Sequence, residues 1–256
     1  MIQSVDRAMR ILGVLRSSRR LSLSELAGRL ELAPSTVHGI VKTLQAHGYV
    51  LQDRASAHYR LGPGALKLGN VYLDTLELRS RAVSWAAELT RGTGYATRTG
   101  VPLPGEVLIV HHEPRPDGSR QMPEVGITIP AHACALGKAI LAFSPEATDC
   151  AGELRSMTRD TVTTPERLRA QLDEVREQAV ATEREEAVIG ECGLAAPVFD
   201  GYDTVVGALG VVVPAPDWPA GDAYETVAGA VRGAARAISR ELGATRWPVP
   251  PDPGQG

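Results

Sequence analysis

The sequence predicts an α+β protein with two domains, a small N-terminal domain and a larger α/β domain. Three observations support this class. Short helical patterns fill the first 48 residues, the balance of charge changes near residue 62, and interleaved helix and strand patterns then continue to about residue 243. A length of 256 residues suits two domains, because one domain commonly takes roughly 100–200 residues.

The charge is unevenly distributed along the chain. Residues 1–62 carry nine Arg and Lys side chains against four acids, a net +5, so the remainder must carry −8 for the chain to reach −3. A basic segment joined to an acidic one favours a polyanionic partner for the first segment alone. Chance clustering of surface charge is the alternative.

The N-terminal domain, residues 1–62, opens with three predicted helices. Ser22 and Glu25 have the spacing of a capping box at the start of the second helix, and Pro34 suits the first turn of the third. The three residues 31–33 form the turn between these two helices, so a helix-turn-helix is expected at about residues 24–43. The stripe expected to be buried on the first helix is Val5, Ala8, Met9, Leu12 and Leu15.

The third helix and the segment behind it carry the groups suited to DNA. Strand patterns at 49–52 and 58–61 enclose a polar turn with Arg54, which predicts a β-hairpin wing. The order of elements predicts a winged helix-turn-helix bound to double-stranded operator DNA, rather than a helical bundle whose polar faces only meet water. The residues expected to contact DNA are Ser35, Thr36, His38, Lys42, Thr43 and Arg54.

Residues 63–79 are predicted to form a linker helix, and residues 80–243 a second domain. The apolar width of the linker favours packing against a second subunit, with burial in its own domain as the alternative. Residues 244–256 contain four prolines and no apolar periodicity, so a disordered tail is expected. The strands expected in the second domain are 95–101, 107–112, 194–199 and 205–213, the last of them central, and the helices expected there begin near 79, 134, 145, 165 and 223.

Few patterns in the second domain indicate catalysis. Cys134 lies near His132, which permits a nucleophile reading, but a buried packing cysteine is favoured because no third orienting group accompanies the pair. The acidic run 183–186 is interpreted as solvated. The three cysteines lack metal-ligand spacing, so neither a cofactor nor a metal is expected. Without a membrane-spanning run or a secretory signal, a cytoplasmic protein is expected.

Several motifs resemble those of the IclR family of bacterial regulators. In the N-terminal domain these include Leu23-Ser24-Glu25-Leu26-Ala27 and Pro34-Ser35-Thr36-Val37-His38. Downstream, the segments 130–142 and 195–200 resemble family signatures, and the likeness spans residues 2–243. Within this family, the chain most resembles the regulators of glycerol operons in actinomycetes.

This resemblance implies a ligand-responsive regulator that forms homodimers or dimers of dimers, with a GAF-like effector-binding domain and no role at the membrane. It favours a repressor of a catabolic operon for glycerol or a related polyol. Family members that bind small carboxylates often have Cys and Ser where this chain has Gly193, Gly210 and Val212, so a glycerol-type or phosphorylated effector is expected instead, with Lys138 or Arg98 as its charge partner. A regulator that responds to a small organic acid is the alternative, and a Cys134-dependent enzyme with a DNA-binding appendage is a remote one. Bulky groups at Gly193 or Gly210 are expected to fill the pocket. By position, the effector would contact Ala135, Leu136, Glu183, Glu191, Gly193, Gly210 and Val212.

Overall fold

The structure is a computed structural model that describes residues 1–18, 20–119, 121–144 and 154–247. The chain divides into two compact units, Met1–Thr75 and the part from Leu76 onward. The helix expected to begin near residue 145 lies outside the described residues.

The first unit is a three-helix domain followed by a two-stranded hairpin and a further helix. The Ser22 hydroxyl accepts a hydrogen bond from the Glu25 amide at 3.3 Å, and the Ser22 amide donates to the Glu25 carboxylate at 2.7 Å, so the capping box is confirmed. Pro34 occupies the first turn of α3, as expected. The elements are α1 (Gln3–Ser18), α2 (Leu23–Leu30), α3 (Pro34–Ala46), β1 (Val50–Gln52), β2 (Tyr59–Leu61) and α4 (Pro63–Asp74).

The stripe predicted for α1 is partly wrong. Ile11 and Leu15 are the buried residues of this helix, whereas Val5 and Met9 are exposed by 57% and 63%. Only the C-terminal half of α1 joins the core formed with α2, α3 and the hairpin. Helical spacing identified the helix but could not show how far its neighbours extend along it.

Two glycines bring the hairpin against the end of α3. Gly48 has a φ of +75°, a left-handed conformation that glycine adopts without strain, and its carbonyl accepts from the Gly64 amide at 3.0 Å. A Cβ on Gly62 would lie 2.3 Å from the Gly48 oxygen. This close approach sets the position at which the wing ends and α4 begins.

The linker helix is shorter than the sequence indicates. Helix α4 ends at Asp74, and residues 76–79 belong to the second unit, where Leu78 is buried and the Arg79 guanidinium donates to the Val110 carbonyl at 3.1 Å. The apolar pattern runs continuously through both helices, so periodicity alone could not reveal the break.

The second unit contains a six-stranded antiparallel sheet in the order β5-β4-β3-β8-β7-β6. Strand β8 is central, as its nearly continuous apolar sequence predicts. Strands β5 and β6 were not predicted, because three or four residues are too few for a periodic signal. The strands are β3 (Ala96–Leu103), β4 (Glu106–Glu113), β5 (Thr128–Pro130), β6 (Ala181–Arg184), β7 (Glu191–Phe199) and β8 (Val205–Pro214).

Helices cover both faces of this sheet. On one face, Thr90 of α5 donates a hydrogen bond to Thr97 of β3 at 2.8 Å, and α8 packs beside α5. On the other face, α6 and α7 form a core with residues such as Ala195 and Ala208. None of the described helices is long and apolar enough to cross a membrane. The helices of this unit are α5 (Glu77–Thr93), α6 (Ala135–Phe143), α7 (Pro165–Gln178) and α8 (Asp222–Glu241).

The segment after α8 begins as ordered structure. Ala244 and Trp247 pack against the core, and the Trp247 ring contacts Phe199 edge-on with centroids 5.7 Å apart. Residues 244–247 are therefore not the disordered segment that the sequence suggested, and the rest of the expected tail, residues 248–256, lies outside the described residues. A single tryptophan that reaches a distant strand leaves no periodic signal in the sequence.

Candidate nucleic-acid interface and effector cavity

Helix α3 presents a polar face to solvent. Ser35, His38, Lys42 and Thr43 are exposed, whereas Thr36 is half-buried. The buried residues Val37 and Val41 lie on the opposite face and anchor α3 to the core. The second helix of a helix-turn-helix therefore offers short polar and basic side chains, which is the arrangement that enters a DNA major groove.

The tip of the wing is an ordered turn that exposes Arg54. The Asp53 carboxylate accepts from the amides of Ala55 and Ser56, both at 2.9 Å, and these bonds with the Ser56 hydroxyl lower the pKa of Asp53. The negative charge of Asp53 is thus satisfied by hydrogen bonds within the turn. The exposed Arg54 guanidinium can reach a phosphate from this position.

In the second unit, the α6 face of the sheet contains a small cavity of about 20 Å³, here called the inner cavity. Its lining includes Arg98, one of the two expected charge partners, and Cys192, which was not among the expected effector residues. The structure brings six of the seven expected effector residues together at this place: Ala135, Leu136, Glu183, Gly193, Gly210 and Val212.

The seventh residue, Glu191, lies at a neighbouring outer cavity of about 390 Å³. Arg98 and Val212 line both cavities, so the two spaces adjoin. Burial alone would lower the pKa of Arg98, but the carboxylates of Glu124 and Glu191 outweigh it and raise that pKa. The remaining lining residues of the outer cavity are Ala96, His112, Arg115, Gln121, Met122, Gly190 and Pro214.

Lys138 is not available to a ligand, which corrects its expected role as a charge partner. Its side chain is fully buried, and its ammonium group donates to Glu186 Oε1 at 2.5 Å and to the Thr182 carbonyl at 3.3 Å. Of the two cations suggested by the sequence, Arg98 is the one that lines the cavities.

The acidic run 183–186 is not the solvated segment that the sequence suggested. Glu183 and Glu186 are buried, while Arg184 between them is exposed. Burial raises the pKa of Glu183 to about 7, although a hydrogen bond from the Glu186 amide opposes the shift. The inner cavity therefore has a carboxyl group that changes its charge near neutral pH. Only the pairing of β6 with β7 places it there.

The geometry around Cys134 does not support a nucleophile. Its sulfur caps α6 by accepting from the Gly137 amide at 3.3 Å, and burial raises the pKa of the thiol to about 12. The His132 ring hydrogen-bonds the Arg155 carbonyl at 3.1 Å. A thiol that stays protonated at neutral pH is a poor nucleophile.

Sequence reasoning missed the outer cavity. Glu124, Gln121 and Met122 come from the connection between β4 and β5 and line this cavity together with Glu191. Glu124 and Glu191 both accept hydrogen bonds from Arg98. No motif marks these residues, because their proximity depends on strand pairings between segments far apart in the chain. The alternation of polar and apolar residues in β3 shows only that Arg98 occupies one face of a strand.

Known proteins resemble this chain over almost its whole length. It is 45% identical over 250 residues to the glycerol operon regulatory protein of Streptomyces griseus, covering 96% of this chain and 98% of that one. The glycerol operon regulatory protein of Streptomyces coelicolor is 42% identical, with the same coverage of both chains. Among solved structures, an IclR transcriptional regulator from Alicyclobacillus acidocaldarius superposes with a TM-score of 0.80 at 27% identity, covering 94% of this chain and 98% of that one.

Two family descriptions match the two units. Residues 4–54 match the IclR helix-turn-helix domain, and residues 70–240 match the C-terminal domain of bacterial IclR transcriptional regulators. The helix-turn-helix with its exposed polar helix and the α/β unit with its adjoining cavities agree with these matches. The chain belongs to the IclR family of transcriptional regulators.

Proposed function

We propose that this chain is a cytoplasmic homodimeric repressor of a catabolic operon for glycerol or a related polyol, controlled by a small metabolite. The DNA-contacting residues are Ser35, Thr36, His38, Lys42, Thr43 and Arg54, and the effector occupies the inner cavity and its continuation. The observation that carries this proposal is the convergence of six effector residues carried over from the family on one cavity beside a partly buried arginine. The glycerol assignment rests on the names of the two Streptomyces relatives.

The chain acts by binding rather than by catalysis. The Cys134 thiol is a helix cap with a raised pKa, and the relatives at 42–45% identity are named as regulators. Residues 1–62 form the DNA-binding part, residues 63–75 connect it to the second unit, which begins at Leu76, and that second unit senses the effector.

A direct experiment measures operator binding while candidate metabolites are added. Glycerol and glycerol 3-phosphate represent the polyol hypothesis, and glycerate, pyruvate and glyoxylate represent the organic-acid alternative. We expect one of the first two to weaken operator binding, and linkage requires DNA to weaken binding of that compound by the same factor. Release by the organic acids alone would contradict the polyol assignment.

Salt titration of DNA binding can distinguish phosphate contacts from base contacts. Lys42→Ala or Arg54→Ala should weaken binding to all sequences and reduce the slope of log affinity against log salt by about 0.9, because one phosphate contact is lost. Ser35→Ala or His38→Ala should instead cost about 1–3 kcal/mol at the operator and relax its base preference. Arg169→Ala, an exposed arginine of α7 in the other unit, is the control. Operator affinity unchanged in all four variants would exclude this interface.

Exposed apolar surface in the first unit supports the homodimer. No residue of α4 is buried, and Leu66, Leu68 and Val71 are exposed by 66%, 59% and 64%. Met1 and Ile2 extend the exposed apolar side chains of α1. Apolar surface of this extent on a helix favours a protein partner, and a second copy predicts a near-palindromic operator with half-sites about one helical turn, or a multiple of it, apart.

Leu66→Glu combined with Val71→Glu should therefore convert the dimer into a monomer at micromolar concentration in sedimentation velocity. Two buried charges at the interface would oppose association strongly. Tyr202→Glu is the matched control, because Tyr202 is 91% exposed on the second unit. A wild-type monomer would contradict the homodimer, and a wild-type tetramer would identify a dimer of dimers.

A further inference from the structure

The connection between β4 and β5 places the Glu124 carboxylate in the outer cavity, in contact with Arg98. Glu124 accepts from both the Nε and the Nη2 of Arg98, with Nη2 and Oε1 2.7 Å apart. The side chains of Arg98 and Glu124 are only 15% and 20% exposed. A two-point contact of this kind is how arginine recognises a carboxylate or a phosphate group.

The sizes of the two cavities show why this contact matters. The inner cavity, at about 20 Å³, has room for about one water molecule and is far too small for a metabolite by itself. The outer cavity, at about 390 Å³, falls within the range of about 300–1,000 Å³ that is usual for ligand sites. A metabolite bound across both cavities must therefore contact Arg98, which lines both.

We propose that Glu124 is an internal competitor, and that a small anionic effector displaces it from Arg98. The carboxylate or phosphate of the effector takes over the two donors that Glu124 now occupies, and the rest of the molecule extends along the sheet toward Gly193. This inference rests on the proposed function, because it assumes that the effector binds at these cavities.

The second carboxylate on Arg98 stays in place. Glu191 accepts from Nη2 at 3.1 Å, and it belongs to β7, where it is paired with Pro214 of β8. Glu124 instead lies in a turn between strands, and this turn is tied to β4 by two backbone bonds, from Gly126 to Ile109 and from Ile109 to Ile127. The backbone that carries Glu124 is thus held by fewer strand pairings than the backbone that carries Glu191, so Glu124 is the carboxylate that we expect to move.

The charges around Arg98 agree with an exchange of one anion for another. Desolvation lowers the pKa of His112, which faces Arg98 across the β3–β4 pairing, so this imidazole is neutral at pH 7 and adds no second cation there. Arg115 also lines the outer cavity, but its guanidinium is paired with Asp117 at 3.6 Å. An anion added beside Glu124 and Glu191 would therefore meet the two negative charges that already surround Arg98. If Glu124 leaves when the anion binds, the number of anionic groups around Arg98 stays as it is now.

The test compares Glu124→Gln with Glu191→Gln in the full chain by calorimetry. The probes are glycerol, glycerol 3-phosphate and glycerate, which share a three-carbon skeleton and differ in the anionic group. We expect Glu124→Gln to bind at least one of the two anions about tenfold more tightly than the wild type, because the competing charge no longer holds Arg98. Glu191→Gln should have a smaller effect, Arg98→Gln should abolish anion binding, and the anion that gains identifies phosphate or carboxylate as the partner.

Hydrogen exchange provides a readout that a purely structural contact would not move. Saturation with the bound anion should increase exchange at the Gly126 amide, which now donates to Ile109. Equal or weaker anion binding by Glu124→Gln, or no anion binding by any variant, overturns the proposal. A different outcome is that glycerol releases the protein from the operator and binds the wild type and Glu124→Gln equally. That result would uphold the proposed function and overturn the proposed role of Glu124 as a competitor.

Discussion

Replacing Lys138 by Met is expected to destabilise the second unit by about 3–5 kcal/mol, the usual cost of removing one partner of a buried ion pair. The Glu186 carboxylate would lose the cation that contacts its Oε1, and its Oε2 is already buried without a hydrogen-bond partner in the described part of the chain. Chemical denaturation of the wild type and the variant measures the difference directly.

Two companion variants separate this effect from the loss of a surface charge. Arg169→Met breaks the exposed pair with Glu166 and should cost less than about 1 kcal/mol. Adding Glu186→Met to Lys138→Met should recover most of the lost stability, because the Glu186 carboxylate is then no longer buried without its cation. A Lys138→Met variant as stable as Arg169→Met, or a double variant with no recovery, would show that the pair contributes little.

Gly193→Val should weaken effector binding on the order of ten- to a hundredfold while operator affinity stays unchanged. A Cβ at Gly193 would lie 3.3 Å from the Ala135 Cβ and 3.4 Å from the Glu183 Cγ, so the added methyl groups would occupy the inner cavity. Inserting extra carbon atoms into a well-packed region costs about 1–3 kcal/mol of free energy, and we expect a similar loss when they compete with the effector for the same space. Calorimetry with the compound that releases the operator, combined with operator binding by the same variant, checks both parts.

Gly210 cannot serve the same purpose, although the sequence suggested that it could. A Cβ there would lie 2.4 Å from the Leu194 carbonyl oxygen and 2.6 Å from the Ala195 Cβ, so the neighbouring strand would have to shift. We expect Gly210→Ala to reduce stability first and effector binding only as a consequence. Unaltered effector affinity in a folded Gly193→Val protein would place the effector elsewhere.

The local elements of the DNA-binding domain were predictable from the sequence because their signals lie within a few residues. The capping box at Ser22, the proline at the start of α3 and the 31–33 turn appear where they were expected. Each depends on hydrogen bonds or dihedral preferences between near neighbours in the chain. The burial along α1 was predicted less well, because it depends on where α2 and α3 end.

The effector region shows the same difference between features with local sequence signals and features that depend on distant segments. Motifs of the family indicated the residues that line the inner cavity, and the apolar run of β8 indicated a central strand. Only the tertiary structure decided that Lys138 forms a buried ion pair with Glu186 and that Glu183 is buried with a raised pKa. It alone decided that Glu124 meets Arg98, 26 residues away. Each side chain's charge can be read from the sequence. The partner that neutralises it is selected by strand pairings between distant segments, and such pairings leave no local pattern.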